Sequence, residues 1–272
     1  MIPYLGSKSQ ISDFIKQYIP KNPKKWIEPF GGGFGLYFNL DFKDYPDTQF
    51  IYNDINPLNC NLFEHFKDIN FLDLVKSTNV NKSVFEKSYS DIIDFGERKG
   101  KKALKNSKSE TKAISWLIIL CCGDSRDLMN KEYKGNSGFE ILKYKLHRYF
   151  EYFKRIEISN LDYKDVMKNH DSEDSFFYLD PPYVGFENYY YLNKFSDNSH
   201  FELSENLKSL KAKWLLSYYK FDKLMDWYSE YKIVSHKTTL SEEFLVLGNQ
   251  ILNNPGSSDP ETEVPNFTMT SS

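Results

Sequence analysis

The stretch "KKWIEPFGGGFG", Lys24 to Gly35, decides the fold. An apolar run of strand type ends at an acid and a proline and then meets a cluster of glycines. Glycines between a strand and a helix allow a tight turn and close backbone approach, and they leave amide N–H groups and a helix N-terminus facing a ligand. A plain tight turn is the competing structural reading. No Lys-Ser/Thr pair follows the glycines, so a nucleoside cofactor without triphosphate chemistry fits better than a phosphate loop. Outward from this point, further β-type runs recur: "TQFIYND" from Thr48, "RIEISNLD" from Arg155, "SFFYLD" from Ser175, "KWLLSYY" from Lys213, "YKIVSHK" from Tyr231 and "EEFLVLG" from Glu242. Most are continuously apolar, as expected of strands covered on both faces, and helical patterns such as "FELSENLKSLK" and "FDKLMDWYSEY" lie between them. The fold class expected is α/β with a seven-stranded, mostly parallel sheet.

The alternation breaks between about Leu62 and Phe153, where the chain reads as helical and polar. The expected division is therefore a catalytic domain from 1–62 and 154–252, an inserted, mainly helical domain over 63–153, and a disordered tail over 253–272. That tail is rich in Pro, Ser and Gly. The chain has 35 basic and 38 acidic residues, a net charge of −3, so nucleic-acid contact would rest on a local patch. One candidate is the run "ERKGKKALKNSKSETK", with seven Lys or Arg between Arg98 and Lys112. It reads either as a solvated segment or as a phosphate-contacting arm through Lys101, Lys102 and Lys105. The three cysteines have no metal-type spacing, and Cys121 and Cys122 sit in the apolar run "ISWLIILCCG", so buried thiols and no metal are expected. No apolar run approaches the roughly 20 residues of a membrane span and no signal peptide is read. The expectation is a cytoplasmic protein, of a prokaryotic cell or of a host if viral, with no membrane partner.

Two acids stand at strand ends. Asp54 closes the second strand at an offset from the glycines that suits an acceptor for both hydroxyls of a ribose, and a cap ahead of the helix near Asn56 and Pro57 is the alternative. Asp180 closes the fourth strand, at the same carboxyl edge. Pro181 and Pro182 lack N–H donors and restrict the backbone, which leaves the Pro181 carbonyl as an acceptor, and Tyr183 adds an aromatic plane. Two acceptors beside a flat ring suit a planar amine.

"YLGSKSQI" from Tyr4, "EPFGGGFG" from Glu28, "NDIN" from Asn53 and "DPPY" from Asp180 together resemble the ordered motifs of the DNA adenine methyltransferase family. In the branch resembled here, the target-recognition domain lies between the glycine motif and DPPY. The resemblance spans about Ile2 to Asn249. It implies a Rossmann-like catalytic domain, S-adenosyl-L-methionine as cofactor and double-stranded DNA as partner. The reaction implied is direct transfer of a methyl group to the exocyclic N6 of an adenine flipped out of the duplex. It places Tyr4 and Lys8 over the cofactor, with Lys8 near its carboxylate. Glu28, Pro29, Phe30, Gly31, Gly32 and Gly33 form the methionine-side cradle, and Asp54 is the ribose ligand. Asp162 and Tyr163 fall where the family contacts the cofactor's adenine. Asp180, Pro181, Pro182 and Tyr183 are the catalytic motif, and Asp180 needs no raised pKa for its role, since an ionised carboxylate, reference ~3.9, is the acceptor wanted. Asp180 also borders the cofactor.

"CGDSRDLMNKEYKGNSGF", Cys122 to Phe139, lies where GATC-reading members of that family carry an arginine- and asparagine-bearing hairpin. Arg126, Asn130, Lys134 and Asn136 are the candidate base readers, without a GATC target being implied. "FENYYYLNKF" after DPPY reads either as a loop closing on the extruded base or as ordinary packing. A monomer is expected. The competing functions are transfer to another planar amine (cytosine N4, RNA adenine or protein glutamine) and a catalytically silent DNA-binding relative.

Overall fold

The computed structural model of the protein describes residues 8–92, 109–124, 132–185, 195–238 and 242–249. Tyr4, Lys101, Lys102, Lys105, Arg126, Asn130 and the tail 253–272 lie outside the described residues, as does most of the segment following DPPY.

All seven apolar runs are strands: β1 Lys25–Glu28, β2 Gln49–Asn53, β3 Ile156–Ser159, β4 Ser175–Leu179, β5 Lys213–Tyr219, β6 Lys232–Lys237 and β7 Glu242–Gly248. They form one sheet in the order β3-β2-β1-β4-β5-β7-β6. The pairs from β3 across to β5 are parallel. β7 lies antiparallel between β5 and β6. This is the expected Rossmann-like, mostly parallel sheet. From β1 the chain steps outward to β2 and β3, then returns to place β4 on the other side of β1. The order reverses between β1 and β4, and in such sheets ligands bind outside the carboxyl ends of the strands at that switch.

Both faces of the sheet are covered, which is why the strands read as continuous apolar runs. Trp26, Phe50, Tyr52, Phe176, Tyr178 and Leu215 point into one core. Their alternates Ile27, Ile51, Phe177, Leu179, Trp214 and Leu216 point into the other. The first core is closed by α1 Ser12–Lys16, α2 Pro57–His65, α3 Ile69–Ser77, helical residues 82–92 (α4), α5 Glu110–Cys122 and α6 Ser137–Phe153. The second is closed by α7 Tyr163–His170, α8 Asp197–Lys208 and α9 Leu224–Trp227. The described helices of 63–153 therefore share a core with the sheet. Phe63 packs on Tyr52 at 4.6 Å, and Phe66 and Phe153 stack at 5.0 Å. Within this layer α5 is buried from Trp116 to Leu120, at about 1.5–3 kcal/mol for each large apolar side chain.

Two local expectations change. The pattern "FDKLMDWYSEY" shortens to the single turn of α9, where Tyr228 leaves the helix for the core beside Trp214. No α-helix follows the glycines; residues Tyr37–Asn39 and Phe42–Asp44 form single 3-10 turns instead. The cause is aromatic packing. Phe34 takes a φ of 53° and buries its ring against Tyr37 and Tyr52, at 4.3 and 5.0 Å, which breaks the helical path.

Of the pair expected to be buried in the apolar run, Cys122 is buried and Cys121 half-buried; Cys60 is buried as well. Among the described residues no helix is long and apolar enough to cross a membrane, and no group of three His, Cys, Asp or Glu is arranged to hold a metal.

Candidate active site

At the carboxyl edge, β1 runs into the glycine turn between β2 and β4. Gly31 N–H donates to the Asn53 carbonyl at 2.8 Å. A Cβ on Gly31 would lie 2.2 Å from Tyr52 Cε2 and 2.9 Å from that carbonyl oxygen, so only glycine passes here. Gly32 has a φ of 47°, its carbonyl accepts from the Tyr52 hydroxyl at 2.9 Å, and its N–H donates to Asp54 Oδ2 at 2.7 Å. This amide is aimed at a side chain of the protein rather than outward from a helix N-terminus.

Asp54 is buried and fastens the turn. Besides Gly32, it accepts from Asn56 N–H through Oδ1 at 2.7 Å and from Asn59 Nδ2 through Oδ2 at 3.3 Å. Burial pushes its pKa up, against the hydrogen bonds that favour the charged form. The cap of α2 is Asn56, whose side chain accepts from Leu58 N–H. Asn59 extends the connection: its Oδ1 accepts from Trp116 Nε1 of α5 at 2.8 Å. The glycine turn, Asp54, α2 and α5 are thus joined by one chain of hydrogen bonds, buried from Asp54 onward.

Asn53, fully buried at the end of β2, carries no signature of its own in the sequence beyond its place in "NDIN". Its Nδ2 donates to the carbonyls of Pro29 and Leu161, and its Oδ1 accepts from Leu161 N–H and Ser159 Oγ, all within 2.7–3.0 Å. With all of these bonds made, the ends of β1, β2 and β3 are fixed relative to one another. Asp162 caps α7, accepting from Lys164 N–H at 3.0 Å. Tyr163 packs on Phe30 at 5.1 Å, and Phe195 completes the aromatic group.

The other half of the site forms where β4 ends. Extending the β1–β4 register sets the residues after Glu28 beside Leu179 and Asp180. Asp180 Oδ1 lies 2.9 Å from Lys8 Nζ, which is also 3.6 Å from Glu243 Oε1 and 4.8 Å from the centre of the Tyr183 ring. Lys8, expected at the cofactor's carboxylate, here lies between two carboxylates of the protein. Glu243 comes from β7, paired with β5, and its Oε1 accepts from the hydroxyls of Tyr183 and Ser217. The Tyr183 ring is nearly covered, its hydroxyl held inward and Lys8 over its face.

Burial raises the Asp180 pKa; Lys8 opposes the rise and Glu243 adds to it, leaving the carboxyl at about 6. The acceptor role does not require this rise, which is a tertiary effect of burial and of Glu243. Burial by itself would lower the Lys8 pKa, but Asp180 and Glu243 outweigh it and hold the ammonium protonated. Glu28 is pushed well above the usual carboxylate range by burial, despite the hydrogen bond that Trp26 Nε1 donates at 3.0 Å.

In the segment considered for base reading, the base of a hairpin is formed. Gly123 bridges Tyr133 in antiparallel fashion, and Lys134 N–H donates to the Cys122 carbonyl. The Lys134 side chain pairs with Glu132 at 2.9 Å, and Asn136 Nδ2 donates to the Val80 carbonyl.

Among known proteins, residues 4–241 match the family described as D12 class N6 adenine-specific DNA methyltransferase. The chain is similar to the Type II methyltransferase M.MjaIII of Methanocaldococcus jannaschii, 28% identical over 210 residues, covering 67% of this chain and 68% of that protein.

Proposed function

From the premise that the chain belongs to the D12 class N6 adenine-specific DNA methyltransferases, we propose that it methylates a flipped-out adenine with S-adenosyl-L-methionine as donor, using Asp180 and the Pro181 carbonyl to hold the amine. Membership makes it an enzyme that transfers a methyl group to adenine N6 of DNA, which sets aside the cytosine, RNA, protein and silent alternatives. The observation that carries the finer reading is the position of Asp180, at the β1–β4 switch beside the glycine turn, with its charge supported by Lys8 at 2.9 Å.

The residues present suit that donor. Glu28 and Asp54 are two buried acids beside the glycine turn, and a ligand carrying a sulfonium and an ammonium would favour their ionised forms against the burial that raises their pKa. Glu28, Pro29, Phe30 and Gly31 to Gly33 would hold its methionine side, Asp54 its ribose, and Phe30 with Tyr163 its adenine side, with Asp162 at the rim and Lys8 and Asp180 bordering it. When bound, S-adenosyl-L-methionine supplies an electrophilic methyl group.

The protein's own task is to make a poor nucleophile attack. The exocyclic nitrogen of adenine delocalises its lone pair into the ring. Accepting its two N–H groups at the ionised Asp180 and at the Pro181 carbonyl returns electron density to nitrogen and holds the lone pair in line. Pro182 keeps the turn rigid, and Tyr183, expected from the sequence to present an aromatic plane, instead has its ring nearly covered and braces that turn from within. Extrusion costs a few kcal/mol and stacking on one aromatic returns ~1–3 kcal/mol. Phosphate contacts from 63–153, through Lys101, Lys102, Lys105 and Lys134, with Arg126 and Asn130 at the bases, are proposed to supply the remainder.

Labelled S-adenosyl-L-methionine incubated with the protein and mixed-sequence duplex DNA is expected to leave label as N6-methyladenine, and sequencing of the modified positions would give the target site. Label recovered from RNA or protein but not DNA would sink the proposal. The pH dependence has a definite sign. Ionised Asp180 is the accepting form, so kcat/KM for DNA should climb as pH rises through about 6 and fall below it. A profile flat down to about pH 4.5, the ordinary carboxylate range, would mean that burial does not act on Asp180 as described.

A further inference from the structure

We propose that Glu243 is a positioning residue for methyl transfer: it shares Lys8 with Asp180 and anchors the Tyr183 hydroxyl, so that the cluster keeps a net negative charge facing the amine. The inference rests on the reading of Asp180 as the amine acceptor. It starts from a count of charges. Among the described residues one buried ammonium, Lys8, faces two carboxylates, Asp180 at 2.9 Å and Glu243 at 3.6 Å. With Asp180 alone, the lysine would neutralise the group that must attract an amine becoming positive as it attacks. With Glu243 present, the trio holds one negative charge in excess.

Glu243 also has a mechanical part. Its Oε1 accepts from Tyr183 of the DPPY turn and from Ser217 of β5, and the Tyr183 hydroxyl lies 3.2 Å from Ser217 Oγ. One carboxylate on an antiparallel strand therefore ties the turn after β4 to β5 and β7. A buried carboxylate that only stabilised the sheet would have no reason to meet the active-site lysine and the active-site tyrosine together. Among the described residues, the ionisable groups facing this cluster are Lys8 before α1, Glu28 of β1, Tyr178 of β4, Asp180 and Tyr183 of the turn, Tyr219 of β5 and Glu243 of β7.

The full-length protein tests this through Glu243→Gln, which keeps the shape and an accepting oxygen while removing the charge. The plateau kcat is expected to fall about tenfold or more, with cofactor affinity within about threefold of wild type. Lys8 would then serve Asp180 alone and a repelling charge would be gone, so the acid limb of kcat/KM should move to lower pH, by about half a unit or more. A lower plateau together with a downward-shifted limb is the signature, because mere loosening of the fold would lower the plateau without moving the limb in that direction. Tyr183→Phe removes the hydroxyl from the other end and should also lower kcat, and combining it with Glu243→Gln should cost less than the product of the two single effects. An unchanged plateau and unmoved limb in Glu243→Gln, with Asp180→Ala inactive, overturns the assignment while leaving the amine-acceptor reading intact. An active Asp180→Ala overturns both. Should Glu243→Gln melt below the assay temperature, Tyr183→Phe and Ser217→Ala carry the test, and wild-type kcat in both overturns the assignment.

Discussion

Asp180→Ala is expected to lower methyl transfer to DNA by roughly 10²–10³-fold or more, with cofactor binding largely spared. The size follows from what is removed. The amine loses its charged acceptor, so electron density stays in the adenine ring. Lys8 is left as well: its ammonium, 3.6 Å from Glu243, then faces a nitrogen that turns positive during the reaction. Asp180→Asn, which restores an accepting oxygen without the charge, should recover only part of the rate. Asp54→Ala makes the useful contrast, since that carboxylate fastens the glycine turn, and its loss should appear chiefly as weaker cofactor binding. Single-turnover assays with titrated cofactor separate the two. Near-normal turnover in Asp180→Ala would remove the amine-acceptor role.

Gly31→Ala should disable the other half of the site and destabilise the fold around it. The added Cβ meets the Tyr52 ring at 2.2 Å and the Asn53 carbonyl at 2.9 Å. The ring has nowhere to go: it is fully buried, packed on Phe34 and Phe63, and its hydroxyl is bonded to the Gly32 carbonyl. Overpacking of this kind costs typically 1–3 kcal/mol or more, and the hydrogen bond from Gly31 to Asn53 is lost with it. For a chain of this size a loss of about 3 kcal/mol corresponds to a Tm lower by roughly 6–12 °C. Thermal melts and cofactor titration of the variant measure both effects. A wild-type Tm with unaltered cofactor affinity would show that the turn has room that the described packing denies.

The strands were legible because burial on both faces leaves a local mark. "SFFYLD" and "KWLLSYY" carry no polar alternation, and the sheet indeed has a core on either side of them. Asp54 and Asp180 were legible for a related reason, since an acid that closes an apolar run emerges at a strand end, and parallel strands gather those ends on one edge. Glu243 left no such mark. It is the second of two adjacent glutamates at the start of a strand, where solvated acids are ordinary. Only the antiparallel register with β5, which sets it opposite Tyr219, brings it to the site. The partner of Lys8 and the raised pKa of Asp180 are tertiary in the same sense, depending on residues distant in sequence. The missing helix after the glycines shows propensity losing to packing, because Phe34, Tyr37 and Phe38 bury their rings where helical phasing would have turned some of them outward.

The bonds from Trp116 through Asn59 and Asp54 to Gly32 bear on how such an enzyme acquires a new target sequence. A segment that reads DNA is easily imagined as a cassette, exchanged between relatives by cutting at its two ends. Here α5, within the segment proposed to read DNA, donates to Asn59, which in turn donates to the acid that holds the glycine turn, and its neighbours fill the core beneath the sheet. A transplant cut at 63 and 153 would carry away part of the support of the catalytic half. Graftable specificity is therefore confined to what lies outside this helical layer, and divergence of target sequence is expected to concentrate away from α5, which stays with its host.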